Sequence, residues 1–139
     1  MTSGYNPKQV RLKIMKSLLD LIVLEYLSSQ PMHGYKIISR IRKQFGQYFG
    51  PSTIYPLLNS LEKKGYTTSE WGMNNERPVK VYKLTSEGQN LLNLTEDSLN
   101  FILGKVGIPP VFKQKKTETS DGVTIEISPE TTEEQKVKH

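Results

Sequence analysis

The chain has 139 residues, contains no cysteine and is 35% hydrophobic, with 19 Lys and Arg against 14 Asp and Glu and a net charge of +5. This length corresponds to one small domain with tails, and the missing cysteines exclude disulfides, thiolate metal sites and cysteine nucleophiles. Residues 1–13 lack the apolar stretch of a signal peptide, and no apolar run reaches the length of a membrane span. The chain is therefore expected to be cytoplasmic, with no membrane partner.

The positive charge is concentrated where the hydrophobic residues are. Residues 1–112 hold 14 Lys and Arg against 8 Asp and Glu, whereas residues 113–139 hold 5 against 6. A basic folded part favours a phosphate-rich partner such as nucleic acid. A surface charged only for solubility is the alternative.

Apolar periodicity predicts two helices in the first third of the chain. Residues 12–29 repeat apolar side chains at the i, i+3, i+4 spacing of one helix face, and Pro31 ends the segment. A second helix is predicted from His33 or Gly34 to Phe45, with Lys36 on its exposed row. Residues 1–11 are expected to be a flexible N-terminus.

The third predicted helix has two distinct faces. It begins at Pro51, which suits the first helical position, and ends before Gly65. Its apolar side chains fall on one side and are Ile54, Leu57, Leu58 and Leu61. The polar row on the other side consists of Ser52, Tyr55, Asn59 and Lys63. This polar row is either an ordinary solvated face or a recognition surface.

A hairpin and a last helix follow. Residues 66–71 and 79–84 favour strands around a polar turn at 72–78, and Arg77, Lys80 and Lys83 make the turn and the return strand basic. Tyr66 and Trp71 are interpreted as residues that pack on the hairpin. Residues 85–108 are predicted to form a helix. Residues 109–139 are predicted to be a disordered tail in which 123–127 is one candidate strand.

The last helix is the candidate dimerisation element. Its apolar residues are Leu92, Leu99, Ile102, Leu103 and Val106. Exposed on a monomer, they would form a large apolar patch, and a two-fold partner is the usual way to cover such a patch. The sequence therefore predicts a homodimer.

The order of elements is that of a winged helix-turn-helix domain over residues 12–84, an α+β fold that is mostly α. In such a domain the third helix enters the major groove, and the hairpin, called the wing, reaches the neighbouring backbone or minor groove. Asn59 suits an adenine edge, and Tyr55 suits a thymine methyl or a phosphate. The residues predicted to bind phosphate are Lys36, Lys63, Arg77 and Lys80.

Four stretches of the sequence resemble the PadR family of transcriptional regulators. They are HGY at 33–35, STIYPLL at 52–58, LEKKGY at 61–66 and RPVKVYKLTSEG at 77–88. The resemblance extends over about residues 18–92. It implies a dimeric, DNA-binding winged-helix regulator, usually a repressor and often released by a small molecule, and members of the family sense phenolic acids or cytotoxic compounds.

The resemblance also assigns roles to individual residues. Those that match the family's recognition helix are Ser52, Thr53, Tyr55 and Asn59. Arg77 and Lys80 match the wing, while His33 and Tyr35 match the opening of the second helix, where a partly structural role is expected. The single C-terminal helix resembles the small subfamily, in which that helix makes most of the dimer. The longer polar turn and residues 113–139 depart from the family pattern.

The expected function is sequence-specific regulation of transcription by a homodimer bound to a palindromic operator in double-stranded DNA. Catalysis is not expected, since the only histidines are His33 and His139 and no phosphate loop or metal-ligand motif occurs. No cofactor or metal is predicted. A winged helix that binds a protein or RNA is the main alternative, and nonspecific DNA binding is a third.

Overall fold

The computed structural model describes Gly4 and residues 6–113, 117–118 and 124–125. The chain divides into two units, Met1–Leu92 and Asn93–His139, and the division falls inside the last helix. The described residues contain no helix with both the length and the apolar character needed to cross a membrane.

The first unit combines helices with a small antiparallel sheet, which confirms the predicted α+β, mostly helical class. In chain order the elements are α1 Pro7–Ser17, α2 Leu19–Ser29, β1 Met32–His33, α3 Gly34–Phe45, α4 Pro51–Lys63, β2 Thr67–Asn74, β3 Arg77–Leu84, α5 Ser86–Lys105, β4 Thr117–Glu118 and β5 Thr124–Ile125. The three-stranded sheet has the order β1-β3-β2, and β4 pairs with β5.

The predicted first helix is two helices in the structure. Leu18, with φ −108° and ψ 15°, interrupts the segment, and its N–H bonds back to Ile14 and Met15 carbonyls while α2 begins at the next residue. The helical part also starts earlier than predicted. Asn6 caps α1 by accepting a hydrogen bond of 2.9 Å from the Lys8 amide, so residues 7–11 are helical rather than flexible.

The core explains why α4 presents a polar face. The largest fully buried side chains come from α2, β1, α3, α4, β3 and α5, and they are Val23, Leu24, Met32, Ile37, Ile41, Ile54, Leu58, Tyr82 and Leu92. On α4, Ile54, Leu58 and Leu61 are buried and Leu57 is half-buried, as the periodicity predicts. Their burial fixes the rotation of α4 and leaves its polar row on the surface.

A network of hydrogen bonds ties the end of α4 to the start of α5. Gly65 adopts φ +83°, which lets the Tyr66 amide bond back to Leu61 over 2.9 Å. The Thr85 hydroxyl donates to the Gly65 carbonyl over 2.7 Å and accepts from the Gly88 amide over 3.0 Å. The Thr85 amide donates to the Tyr66 carbonyl over 3.1 Å, and a Cβ on Gly88 would overlap that same carbonyl oxygen. These contacts are the physical reason for the Thr-x-x-Gly spacing.

The hairpin is longer and its turn tighter than predicted. β2 and β3 pair without interruption from Thr67↔Leu84 to Asn74↔Arg77. Only Asn75 and Glu76 connect them, with φ +51° and +64°. Two consecutive left-handed residues match the right-handed twist of a two-residue hairpin, so the strands continue through positions that composition alone marks as a turn.

The second unit contains the rest of α5 and the segment that follows it. The Asn100 side chain donates to the Phe112 carbonyl over 2.9 Å and accepts from the Val111 and Phe112 amides. These bonds fold the segment after Gly107 back along α5. Of the candidate strand at 123–127, Thr124–Ile125 is a strand and pairs with Thr117–Glu118, while the rest lies outside the described residues.

Candidate nucleic-acid interface

A cleft of about 700 Å³ separates α4 from the wing in the first unit. Its walls come from the start of α3, the exposed face of α4, and the two strands of the hairpin. The residues that line it are His33, Gly34, Tyr35, Tyr55, Asn59, Trp71, Asn74, Arg77, Pro78, Val79, Lys80 and Tyr82.

His33 holds the start of α3 next to the end of the wing. Its Nδ1 accepts a hydrogen bond of 3.2 Å from the Lys36 amide and thereby caps α3. Its Nε2 lies 3.4 Å from the side-chain amide nitrogen of Asn74, near the end of β2. The expected structural role of His33 is confirmed by this cap, and the ring also forms part of the cleft wall.

Gly34 makes room for the ring of Tyr55. A Cβ at Gly34 would lie 2.6 Å from Cε1 and 2.8 Å from Cζ of Tyr55, closer than side chains approach one another. The ring therefore rests on the first turn of α3, while 36% of Tyr55 remains exposed to solvent. This close approach fixes the direction in which α4 presents its aromatic side chain.

A charged network joins α4 to the base of the wing. The Ser69 hydroxyl donates to Glu62 Oε2, and Lys80 Nζ lies 3.3 Å from Glu62 Oε1. The bond from Ser69, together with Lys80, holds the pKa of Glu62 below its ordinary value of 4.5. Tyr82 lies beneath the network, 5.6 Å from Lys80 Nζ to the ring centroid, and burial raises the pKa of Tyr82 above its ordinary value of 10.0. At neutral pH the carboxylate is charged and compensates the charge of Lys80.

The cleft brings together half of the residues predicted to contact DNA. Those in its lining are Tyr55, Asn59, Arg77 and Lys80. The others are exposed but lie outside the lining, and they are Lys36, Ser52, Thr53 and Lys63. Two other cations of this unit differ in exposure: Lys83 of the wing is exposed, whereas the guanidinium of Arg40 on α3 stacks 4.8 Å from the centre of the Tyr26 ring.

Two exposed aromatic residues of the cleft were not predicted as functional. Trp71 is 73% exposed and Tyr35 is 69% exposed. The interpretation of Trp71 as a packing residue is wrong, whereas Tyr66 is half-buried. The alternation of strand side chains was the available signal, because Ser69, Trp71 and Met73 share one face of β2 and that face continues past α4 into solvent.

The charge of the cleft suits an anion. Among the described residues that line it, none is a carboxylate, whereas Arg77 and Lys80 are cations. The whole first unit holds 13 Lys and Arg against 6 Asp and Glu. Such a surface raises the local concentration of a polyanion and accelerates its binding.

The three packed helices α2–α4 and the hairpin beside α4 define a winged helix-turn-helix fold. The model of the transcriptional regulator PadR-like family matches residues 23–94, which is just over half of the chain. The chain belongs to this family.

A solved structure and a curated transcriptional regulator agree with this assignment. A PadR family transcriptional regulator from Eggerthella lenta superposes with a TM-score of 0.63 at 29% identity, over 71% of this chain and 87% of that one. A transcriptional regulator of Mycobacterium tuberculosis is 28% identical over 85 residues, 61% of this chain and 77% of that protein. An uncharacterized 37.1 kDa protein in transposon TN4556 of Streptomyces fradiae is 31% identical over 87 residues, 63% of this chain. The match spans only 24% of that protein's length.

Proposed function

We propose that this PadR-like regulator binds a specific sequence in double-stranded DNA as a homodimer and represses transcription until a small molecule releases it. The observation that supports DNA binding is the cleft, which places the polar face of α4 beside a basic wing with no carboxylate among the described lining residues. Repression and release rest on the family resemblance.

The proposal matches each wall of the cleft to a part of the duplex. In the proposed complex α4 lies in the major groove, where Asn59 contacts base edges and the Tyr55 ring is held in place by Gly34. The sugar–phosphate backbone between two grooves then runs through the cleft. Arg77 at the end of the wing contacts phosphate. Lys80 contributes less than predicted, because Glu62 already neutralises it.

The proposed dimer uses the exposed apolar residues of α5. They lie in two rows of the helix surface, called here together the α5 stripe: Leu94 (63% exposed) and Phe101 (65%) in one row, and Ile102 (58%) and Val106 (72%) in the other. This stripe differs from the predicted set, because Leu92 is fully buried and Leu99 and Leu103 are half-buried. An exposed apolar stripe of this kind favours association, and a two-fold dimer would place two α4 helices about 34 Å apart on a palindrome.

Selection from a pool of randomised duplexes tests the proposal. The protein is incubated with the pool at about 50 and 200 mM salt, a range over which phosphate-driven binding weakens strongly, and bound sequences are recovered. We expect a palindromic motif that persists at the higher salt. Asn59→Ala should alter or abolish the motif, whereas Asn90→Ala, an exposed residue that does not line the cleft, should leave it unchanged.

The salt dependence gives a second readout in the same experiment. Arg77→Ala should weaken binding to all sequences and lower the slope of log affinity against log salt by roughly one. Arg11→Ala on α1 is the matched control. If no duplex binds at either salt, the proposal fails and a protein- or RNA-binding winged helix becomes the better interpretation. Binding without an enriched motif would leave a nonspecific DNA-binding protein.

A further inference from the structure

The wing exposes two large apolar side chains next to the cleft. Trp71 is 73% exposed and Met73 is 71% exposed, and both project from the face of β2 that carries Ser69. Ser69 bonds to Glu62 of α4, so this face is the one directed towards α4. Two large apolar side chains exposed next to each other form a patch of the kind that marks a contact surface.

The surroundings of Trp71 select the kind of partner. Trp71 pairs across the hairpin with Lys80, whereas Met73 pairs with Pro78. Lys80 and Arg77 both line the cleft together with Trp71, so cations lie near the Trp71 ring. Of the described residues lining the cleft beside them, none is acidic. An exposed aromatic ring near cations fits a nucleic acid, whose bases offer flat faces for stacking and whose phosphates require positive charge.

We propose, on the basis of the proposed DNA binding, that Trp71 inserts into the minor groove next to the major-groove site of α4 and stacks against a base step. Met73 enters beside it as a second apolar contact. Arg77 holds a flanking phosphate, and Lys80, which is paired with Glu62, contributes less. Trp71 is then a residue that determines specificity through DNA shape, at a position where no base edge is read by a hydrogen bond.

Insertion of an apolar side chain has a defined effect on the duplex. It partly unstacks one base step and bends the DNA towards the major groove. Pyrimidine–purine steps unstack most easily, so the wing should prefer such a step on the outer flank of each half-site. The same bend brings more of the backbone into the cleft.

The single tryptophan of this chain allows a direct test, since Trp71 is the only source of indole emission. The probe is a 30-base-pair duplex recovered by the selection above or, if none is enriched, the random pool itself at about 50 mM salt. Binding is followed by the anisotropy of a fluorescein at one end, and bending by energy transfer between dyes at both ends. Trp71 emission is recorded in a parallel titration without dyes.

Stacking should quench the emission of Trp71 in proportion to the bound fraction. Trp71→Ala should weaken binding by roughly 5- to 150-fold, the range found for loss of one stacked base, and should remove most of the bend. Trp71→Phe should retain much of both. Thr68→Ala, on the same strand but the opposite face, should change neither, and circular dichroism should report the same fold for all variants, because Trp71 is largely exposed.

The outcomes separate this inference from the proposed function. Anisotropy that rises while Trp71 emission stays constant would overturn insertion and leave DNA binding intact. An unchanged bend with Trp71→Ala would overturn it as well. No rise in anisotropy with either probe would overturn both proposals.

Discussion

The cleft and the α5 stripe are both exposed surfaces, but they are built in different ways. The side chains of the cleft are held by specific contacts: His33 caps α3, Gly34 receives the Tyr55 ring, and Glu62 joins Ser69 to Lys80. The α5 stripe consists of apolar side chains, which form no hydrogen bonds or ion pairs. Phe101 also contacts a charge, since its ring centre lies 5.1 Å from Lys105 Nζ. A surface that recognises a specific ligand needs side chains held in fixed orientations, whereas a surface that joins two copies of a protein needs mainly apolar area.

The largest expected effect comes from the hydrogen-bond network that ties the end of α4 to the start of α5. Gly88→Ala should lower the free energy of unfolding by about 3 kcal/mol or more, because the new methyl group overlaps the Tyr66 carbonyl oxygen. Urea unfolding followed by circular dichroism measures the loss. Gly104→Ala is the matched control on the same helix, where a Cβ would meet no atom outside its own helical turn within 4 Å, and should stabilise by roughly 0.5–1 kcal/mol. Equal effects at the two glycines would show that the close contact between Gly88 and Tyr66 does not contribute to stability.

A charged residue in the α5 stripe should distinguish the role of the stripe from that of the cleft. Phe101→Asp places a carboxylate in the proposed dimer interface, where burial of the charge should weaken dimerisation by roughly 3 kcal/mol, or about a hundredfold. Analytical ultracentrifugation at micromolar concentration measures this change, while circular dichroism should report an intact fold. Phe101→Leu keeps the apolar character and should remain dimeric. If Phe101→Asp stays dimeric, the interface lies elsewhere.

Filling the space beside Tyr55 should perturb the cleft alone. Gly34→Ala displaces the Tyr55 ring and should lower DNA affinity by roughly 1 kcal/mol, or about fivefold, without changing the oligomeric state. A double-mutant cycle gives the control: in a Tyr55→Ala background, Gly34→Ala should have almost no further effect. Additive losses in the cycle would mean that Gly34 acts independently of the ring.

The smallest effect concerns the charged network and depends on pH. The folded-state pKa of Glu62 is lowered, so its contribution is present above the ordinary value of 4.5 and is lost as the pH falls through the folded-state pKa. Glu62→Gln should therefore destabilise the fold at pH 7 by less than about 1 kcal/mol, and this difference should vanish in acid. Urea unfolding at both pH values measures it. A difference that persists in acid would contradict the charge-based account.

The same variant makes a prediction about the cleft that runs in the opposite direction. Glu62→Gln releases Lys80 from its partner and removes a negative charge beside the proposed path of the backbone. DNA affinity at pH 7 should increase even though stability decreases. Glu76→Gln, at the turn of the wing and outside the network, separates this release from a general loss of negative charge.

The sequence predicted the elements that periodicity determines and missed features that depend on local backbone geometry. The two faces of α4 follow from the spacing of Ile54, Leu58 and Leu61, and the structure confirms their burial. The break at Leu18 leaves the apolar pattern uninterrupted, so a period alone cannot locate it. The left-handed pair Asn75 and Glu76 replaces the glycine that normally marks such a turn, and the strands were therefore predicted too short.

The candidate site was predicted only in part for a similar reason. Side-chain type selected Arg77 and Asn59 as DNA contacts, and the structure places both as exposed residues in the lining of the cleft. Composition could not reveal that Lys80 has a carboxylate partner, because Glu62 is distant along the chain and meets it only after the hairpin folds. Likewise, the stripe on α5 shifted to Leu94 and Phe101 because the burial of Leu92 sets the rotation of the helix.

The bonded ends of the hairpin also restrict how the length of this wing can vary. Because Thr85 is tied to Gly65 and Tyr66, and Thr67 is paired with Leu84, an insertion cannot be absorbed at the base. One added residue in each strand would turn the outer side chains to the opposite face, whereas two in each strand would restore their direction and extend the hairpin by about 6–7 Å. Wings that keep an aromatic residue directed towards the duplex should therefore differ in length by multiples of four residues.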